Sequence, residues 1–121
     1  MNINTPNLKA IGANLKKATA EMIVLNLIAA KEETYGFEIA RTMSDLTNRK
    51  YHIGEGSTYT ILTRLEENGC ITSERRTVTG KRVRVYYKIT EKGRDFLRSM
   101  KDEYLCQIDL IQTLIDYPQQ Y

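Results

Sequence analysis

The chain has 121 residues, 41% of them hydrophobic and 27% charged, with a formal net charge of +3. This length and balance fit one soluble globular domain and exclude a disordered chain. No apolar run approaches the roughly 20 residues that cross a bilayer. Met1–Pro6 carries no basic segment leading into an apolar core, so no signal peptide is read and a cytoplasmic protein is expected. The two cysteines, Cys70 and Cys106, have no Cys or His neighbour at metal-ligand spacing. They read as small, half-buried apolar residues, with no metal and no cofactor implied.

A first helix is expected from about Asn7 to Ala30. Leu8, Ile11, Leu15, Ala18, Met22, Leu25 and Ala29 recur in steps of three and four. From Met22 to Ala30 the apolar residues run nearly all round the helix, which calls for burial on every side. In so small a chain, part of that burial is expected from a second subunit. Thr34 is a candidate N-cap for a second helix, Tyr35 to about Leu46, with Glu38 in its first turn. Phe37, Ile39, Ala40, Met43 and Leu46 would supply its buried face. Gly36 would permit close approach of another helix. Residues 47–53 connect onward, with Ile53 turned inward and His52 a plain loop residue.

A third helix is expected over 57–68. Ile61, Leu62 and Leu65 would face the core, and Gly69 suits the left-handed position past the helix end. Ser57, Thr58, Thr60, Thr63 and Arg64 are left for the outer face. Two strands follow over 71–90, Ile71 to Val78 and Arg82 to Ile89, turning at Thr79-Gly80. Val83, Val85, Tyr87 and Ile89 alternate with Arg82, Arg84, Tyr86 and Lys88. That period of two sets an apolar face against a basic and aromatic one. Thr90 would cap a last helix reaching about Asp116, before Pro118. Its seam of Leu97, Met100, Tyr104, Ile108, Ile111 and Ile115 outruns what one small domain can cover. A second copy is the expected cover, with Leu15 and Met22 of the first helix joining the seam.

Charge is unevenly placed. Residues 74–94 hold eight basic side chains against two acidic ones, a net +6, while residues 1–73 sum to zero and residues 95–121 to −3. Sheet edges often carry Lys and Arg simply to stay soluble. Beside a short polar-faced helix, the same charge points to an anionic partner, double-stranded DNA. The pattern predicts a mainly α protein with a β-hairpin, a winged helix-turn-helix over residues 1–94 and a dimerisation helix over 95–121. The helix would enter the major groove and the hairpin would reach the backbone.

Candidate contacts follow from that layout. Ser57, Thr58, Tyr59 and Thr60 sit at a helix start, where free N–H groups favour phosphate. Ser57 is either a cap or a contact, and Tyr59 either a core residue or a contact. Thr63 lies a turn further along. Arg64 would touch DNA or pair with Glu67 or Glu38. Lys81 and Arg82 at the hairpin tip are the strongest backbone or minor-groove candidates, with Arg84 behind them.

Three stretches also resemble a known family. Tyr35-Gly36-Phe37-Glu38-Ile39 is similar to its (H/Y)-G-(Y/F)-E-I element. Glu55-Gly56-Ser57-Thr58-Tyr59, continued by Leu62 to Gly69, resembles its E-G-T-L-Y-P-x-L-x-R-L-E-x-x-G run. Gly80 to Gly93 resembles G-x-x-R-x-Y-Y-x-L-T-x-x-G. The family is the PadR-like transcriptional regulators, and the likeness spans roughly residues 20 to 100. It implies a homodimeric winged-helix repressor of the short form. It implies a reading third helix, a wing on backbone or minor groove, and a C-terminal helix packed on the partner's first helix. It moves Tyr59 towards a backbone contact. It leaves room for a small-molecule effector at the dimer interface, near Tyr104. Thr58 and Thr60 stand where the family often has an aliphatic residue and a proline. The absence of Trp removes the aromatic platform its drug-binding members use.

Enzyme chemistry has little to stand on. There is one His, no paired carboxylate motif, no phosphate loop and no nucleophile with a base. The rival to DNA binding is a winged helix that docks a protein instead. Such a module would not need a +6 hairpin.

Overall fold

The computed structural model describes residues 7–118, so Met1–Pro6, read above for a signal peptide, lie outside the described residues. Helix α1 (Leu8–Ala29) leads into a two-residue strand β1 (Thr34–Tyr35) and helix α2 (Gly36–Leu46). Helix α3 (Glu55–Glu67), strands β2 (Ile71–Thr79) and β3 (Arg82–Ile89) and helix α4 (Glu91–Ile115) follow. The sheet is antiparallel in the order β1-β3-β2. This is the expected winged-helix layout, mainly α with a hairpin. No helix among the described residues is long and apolar enough to cross a membrane.

The C-terminal half of α1 is the hub. Val24, Leu25 and Ile28 have no exposure at all. Around them pack Ile39 and Met43 of α2, Ile61, Leu62 and Leu65 of α3, Ile71 of β2 and Leu97 of α4. Ile53 tucks inward from the connector as expected. Asn7 caps α1, its side chain accepting from the Ala10 N–H.

Several expectations change here. Thr34 is not a helix cap. It is a buried strand residue opposite Tyr87, and its hydroxyl donates to Glu38 Oε1 at 2.6 Å. Phe37 and Leu46 are exposed, because α2 has only one packed stripe and Leu46 is its last residue. Gly36 touches no neighbouring helix, since a side-chain carbon there would meet open space. Helix α3 starts at Glu55 after the N-cap Gly54, so Ser57 lies inside the first turn rather than capping it. The hairpin turns at Gly80-Lys81, one residue later than expected, as Thr79 pairs with Arg82 across an irregularity at Thr77/Thr79. Cys106 is exposed, and only Cys70 is buried.

The joint between hairpin and last helix is tight. Thr90 caps α4 by accepting from the Gly93 N–H, while its own hydroxyl donates to the Gly69 carbonyl at 2.6 Å. A side-chain carbon on Gly93 would overlap the Cys70 carbonyl, so the first turn of α4 lies directly on the backbone entering β2.

Candidate nucleic-acid interface

Helix α3 packs through Thr58, Ile61, Leu62 and Leu65, the i, i+3, i+4, i+7 stripe of a helix with one buried face. Thr58 therefore leaves the set of outward candidates. It is 8% exposed, and its hydroxyl donates to the Gly54 carbonyl at 2.9 Å. Ser57, Tyr59 and Thr60 stay outside, Tyr59 with 69% of its surface exposed. Thr60 also turns its hydroxyl back, onto the Gly56 carbonyl at 3.0 Å. It can still accept a hydrogen bond from an outside donor. Thr63 is half-buried. Arg64 pairs with neither Glu67 nor Glu38. Its Nε lies 3.2 Å from Glu21 Oε2, which ties α3 to α1.

The hairpin is fixed to α3 at its base, where the Ser73 hydroxyl donates to Glu66 Oε2 at 2.6 Å. Cross-strand partners place Glu74 and Arg76 of β2 on the same face as Arg84 and Tyr86 of β3, with Tyr35 of β1 beside them. The opposite face carries Ile71, Tyr87 and Ile89 against the helices. Burial pushes the Tyr87 hydroxyl pKa up. The alternation read from the sequence thus holds, except that Val83 runs past the core and is half exposed.

The basic residues separate into two groups. Lys81 and Arg82 at the turn are exposed, and neither has an ion-pair partner among the described residues. Arg84 is held back. Its guanidinium lies 4.0 Å from the centre of the Tyr35 ring, and its Nη1 donates to the Tyr86 hydroxyl at 3.3 Å. That hydrogen bond raises its pKa further, against the cost of burial. Arg76 is also committed, to Glu33 and Glu74. The sequence reading counted all these charges alike. Strand β1 and the pairing of Glu33 with Arg76 were missed, because two residues have no periodicity and the partners are 43 positions apart.

The dimer candidates also divide. Leu97 is buried within its own chain, and Met22 and Met100 pack against the same core. The Tyr104 hydroxyl donates to the Ala18 carbonyl, bridging α4 to α1. Leu15, Ile108, Ile111 and Ile115 are each at least half exposed, as are Leu8, Ile11 and Leu114. The outer ends of both helices thus carry apolar faces with nothing packed on them. No group of acidic, His or Cys side chains among the described residues could hold a metal. Desolvation raises the Cys70 thiol pKa, so at neutral pH it is protonated and a weak nucleophile.

Comparison with known proteins agrees with this geometry. A transcriptional regulator of Clostridium thermocellum superposes with a TM-score of 0.75 at 27% identity, over 83% of this chain and 96% of that one. A PadR family transcriptional regulator of Eggerthella lenta shares the fold with a TM-score of 0.81 at 24% identity, over 91% and 93% of the two chains. In sequence, uncharacterized protein X of Lysinibacillus sphaericus is 30% identical over 106 residues, 88% of this chain and 96% of its own length. The family model for PadR-like transcriptional regulators matches residues 24–99, from the hub of α1 through α3 and the wing into α4. The chain belongs to the PadR-like family of transcriptional regulators, which are DNA-binding proteins and not enzymes.

Proposed function

We propose that the protein is a cytoplasmic repressor that binds a pseudo-palindromic operator as a homodimer. Helix α3 lies in the major groove, with Ser57, Tyr59 and Thr60 leading and Thr63 behind. Lys81 and Arg82 reach the neighbouring backbone or minor groove. Arg84 and Arg64 support the surface from behind. Residues 1–94 act as the DNA-binding unit, while 95–121 extend the helix that joins two subunits. Leu15, Ile108, Ile111 and Ile115 form the outer seam of that dimer. The observation that carries this reading is the hairpin tip. Its two cations are free, while cations deeper in the wing are already paired or stacked. Free cations at a projecting tip suit phosphate, and neutralising phosphates releases counterions.

Selection of duplexes from a random pool tests the reading. The expected product is a two-fold symmetric site, its halves about 10 base pairs or a multiple apart. Recovery of no preferred sequence would count against it and favour a winged helix that docks protein. The reading extends to a small-molecule effector at the subunit seam beside Tyr104. A ligand screen followed by thermal shift tests that extension, and a flat profile argues against it.

A further inference from the structure

The outer half of the wing has little holding it. Strand β1 is two residues long and pairs only with Tyr86 and Tyr87. Beyond them β3 has β2 as its only neighbour, and a lone two-stranded ribbon is marginally stable in water. The first cross-strand pair out from Tyr86 on its face sets Arg76 opposite Arg84, a like-charge pair that should weaken the ribbon.

Arg76 is secured at this point. Its Nη1 and Nη2 donate to the two carboxylate oxygens of Glu33 at 2.7 and 2.6 Å. Its Nε donates to Glu74 Oε1 at 2.5 Å. The guanidinium lies 4.3 Å from the centre of the Tyr86 ring, which meets the Tyr35 ring edge-on at 5.5 Å. Glu33 sits in the short link between α1 and β1. The next residue, Thr34, is buried and bonded to Glu38, which also pairs with Lys31 at 3.4 Å. The far end of the clasp is thus anchored to the helical core.

We propose that Glu33 and Arg76 form a clasp that sets the orientation of the wing, which makes the acidic Glu33 a positioning residue for operator binding. The proposal rests on the DNA-binding reading above. An isolated exposed ion pair stabilises little. This pair differs because it is bidentate, shares its cation with a second carboxylate and stacks on an aromatic ring. The Arg76 hydrogen bond is also the main cause holding the Glu33 pKa below the ordinary carboxylate range. A charge-only view predicts the opposite role. There, an acid beside a basic wing repels DNA and its removal tightens every complex.

Glu33→Gln, Arg76→Gln and the double variant separate these views, using the duplex selected by the parent protein and a scrambled duplex. Glu33→Gln should weaken binding to the selected duplex by about fivefold to tenfold, the scale of one charge-assisted hydrogen bond. Binding to the scrambled duplex should hold or tighten. The double variant should be no worse than the weaker single, since both remove one clasp. Tighter binding of Glu33→Gln to both duplexes, with opposite and additive effects of the two singles, would overturn the clasp.

A second readout needs no DNA. Amide exchange at residues 82–85 should quicken about tenfold in Glu33→Gln, while the Leu25 amide and the thermal midpoint stay near those of the parent. Unchanged exchange there would sink the proposal by itself. Failure of the parent to select any duplex would instead strike the DNA-binding reading and leave the exchange result standing.

Discussion

The two halves of α1 carry the same kind of sequence and meet opposite fates. Near its C-terminus Val24, Leu25 and Ile28 are wholly buried, whereas Leu8, Ile11 and Leu15 near its start are more than half exposed. The outer end of α4, with Ile108, Ile111 and Ile115, matches the exposed half. Periodicity therefore tells which face of a helix is apolar, but not which chain covers it. The buried half belongs to this chain's core. The exposed halves are what a second copy would cover.

Substitutions can break that contrast in graded steps. Leu25→Ala cuts the hub and should cost about 2–5 kcal/mol, seen as a lower midpoint in chemical denaturation. A change under 1 kcal/mol would mean the hub repacks freely. Gly93→Ala forces a methyl against the Cys70 carbonyl and should cost about 1–3 kcal/mol by the same assay. Ile108→Lys should leave subunit folding within about 0.5 kcal/mol but shift sedimentation at micromolar concentration towards monomer. A variant that sediments as the parent does would remove α4 from the seam.

The smallest effect concerns pH. Hydrogen bonds from Arg76 and from the Thr34 hydroxyl are the main causes lowering the folded pKa values of Glu33 and Glu38. A carboxyl with a depressed folded pKa contributes stability above its unfolded value and loses it as pH falls through the folded value. Protection of the wing amides from exchange should therefore hold at neutral pH and decline below the ordinary carboxylate range. Glu33→Gln should flatten part of that decline.

The legible parts of the fold were those with a long repeat or a strong local signal. Four helices, the paired strands, the Thr90 cap and the left-handed Gly69 are of this kind. Thr58 was legible by spacing, since it completes the stripe of Ile61, Leu62 and Leu65. Its hydroxyl drew it wrongly to the outer face, although a hydroxyl bonded back to its own helix can be buried at little cost. Phe37 sits two residues from Ile39, nearly opposite it around the helix, so grouping both as buried mixed two faces. The division of the wing cations could not be read locally. It depends on Glu33 and Tyr35, which reach the hairpin only through the folded sheet.

The most direct test of the account is the salt dependence of binding to the selected duplex, for the parent and for the Lys81→Ala/Arg82→Ala variant. Each phosphate contact contributes about −0.9 to the slope of log affinity against log salt. The account predicts a slope shallower by about 1.8 in the variant, with weaker binding at every salt concentration. An unchanged slope and affinity would show that the wing tip does not touch DNA, and would contradict the central claim.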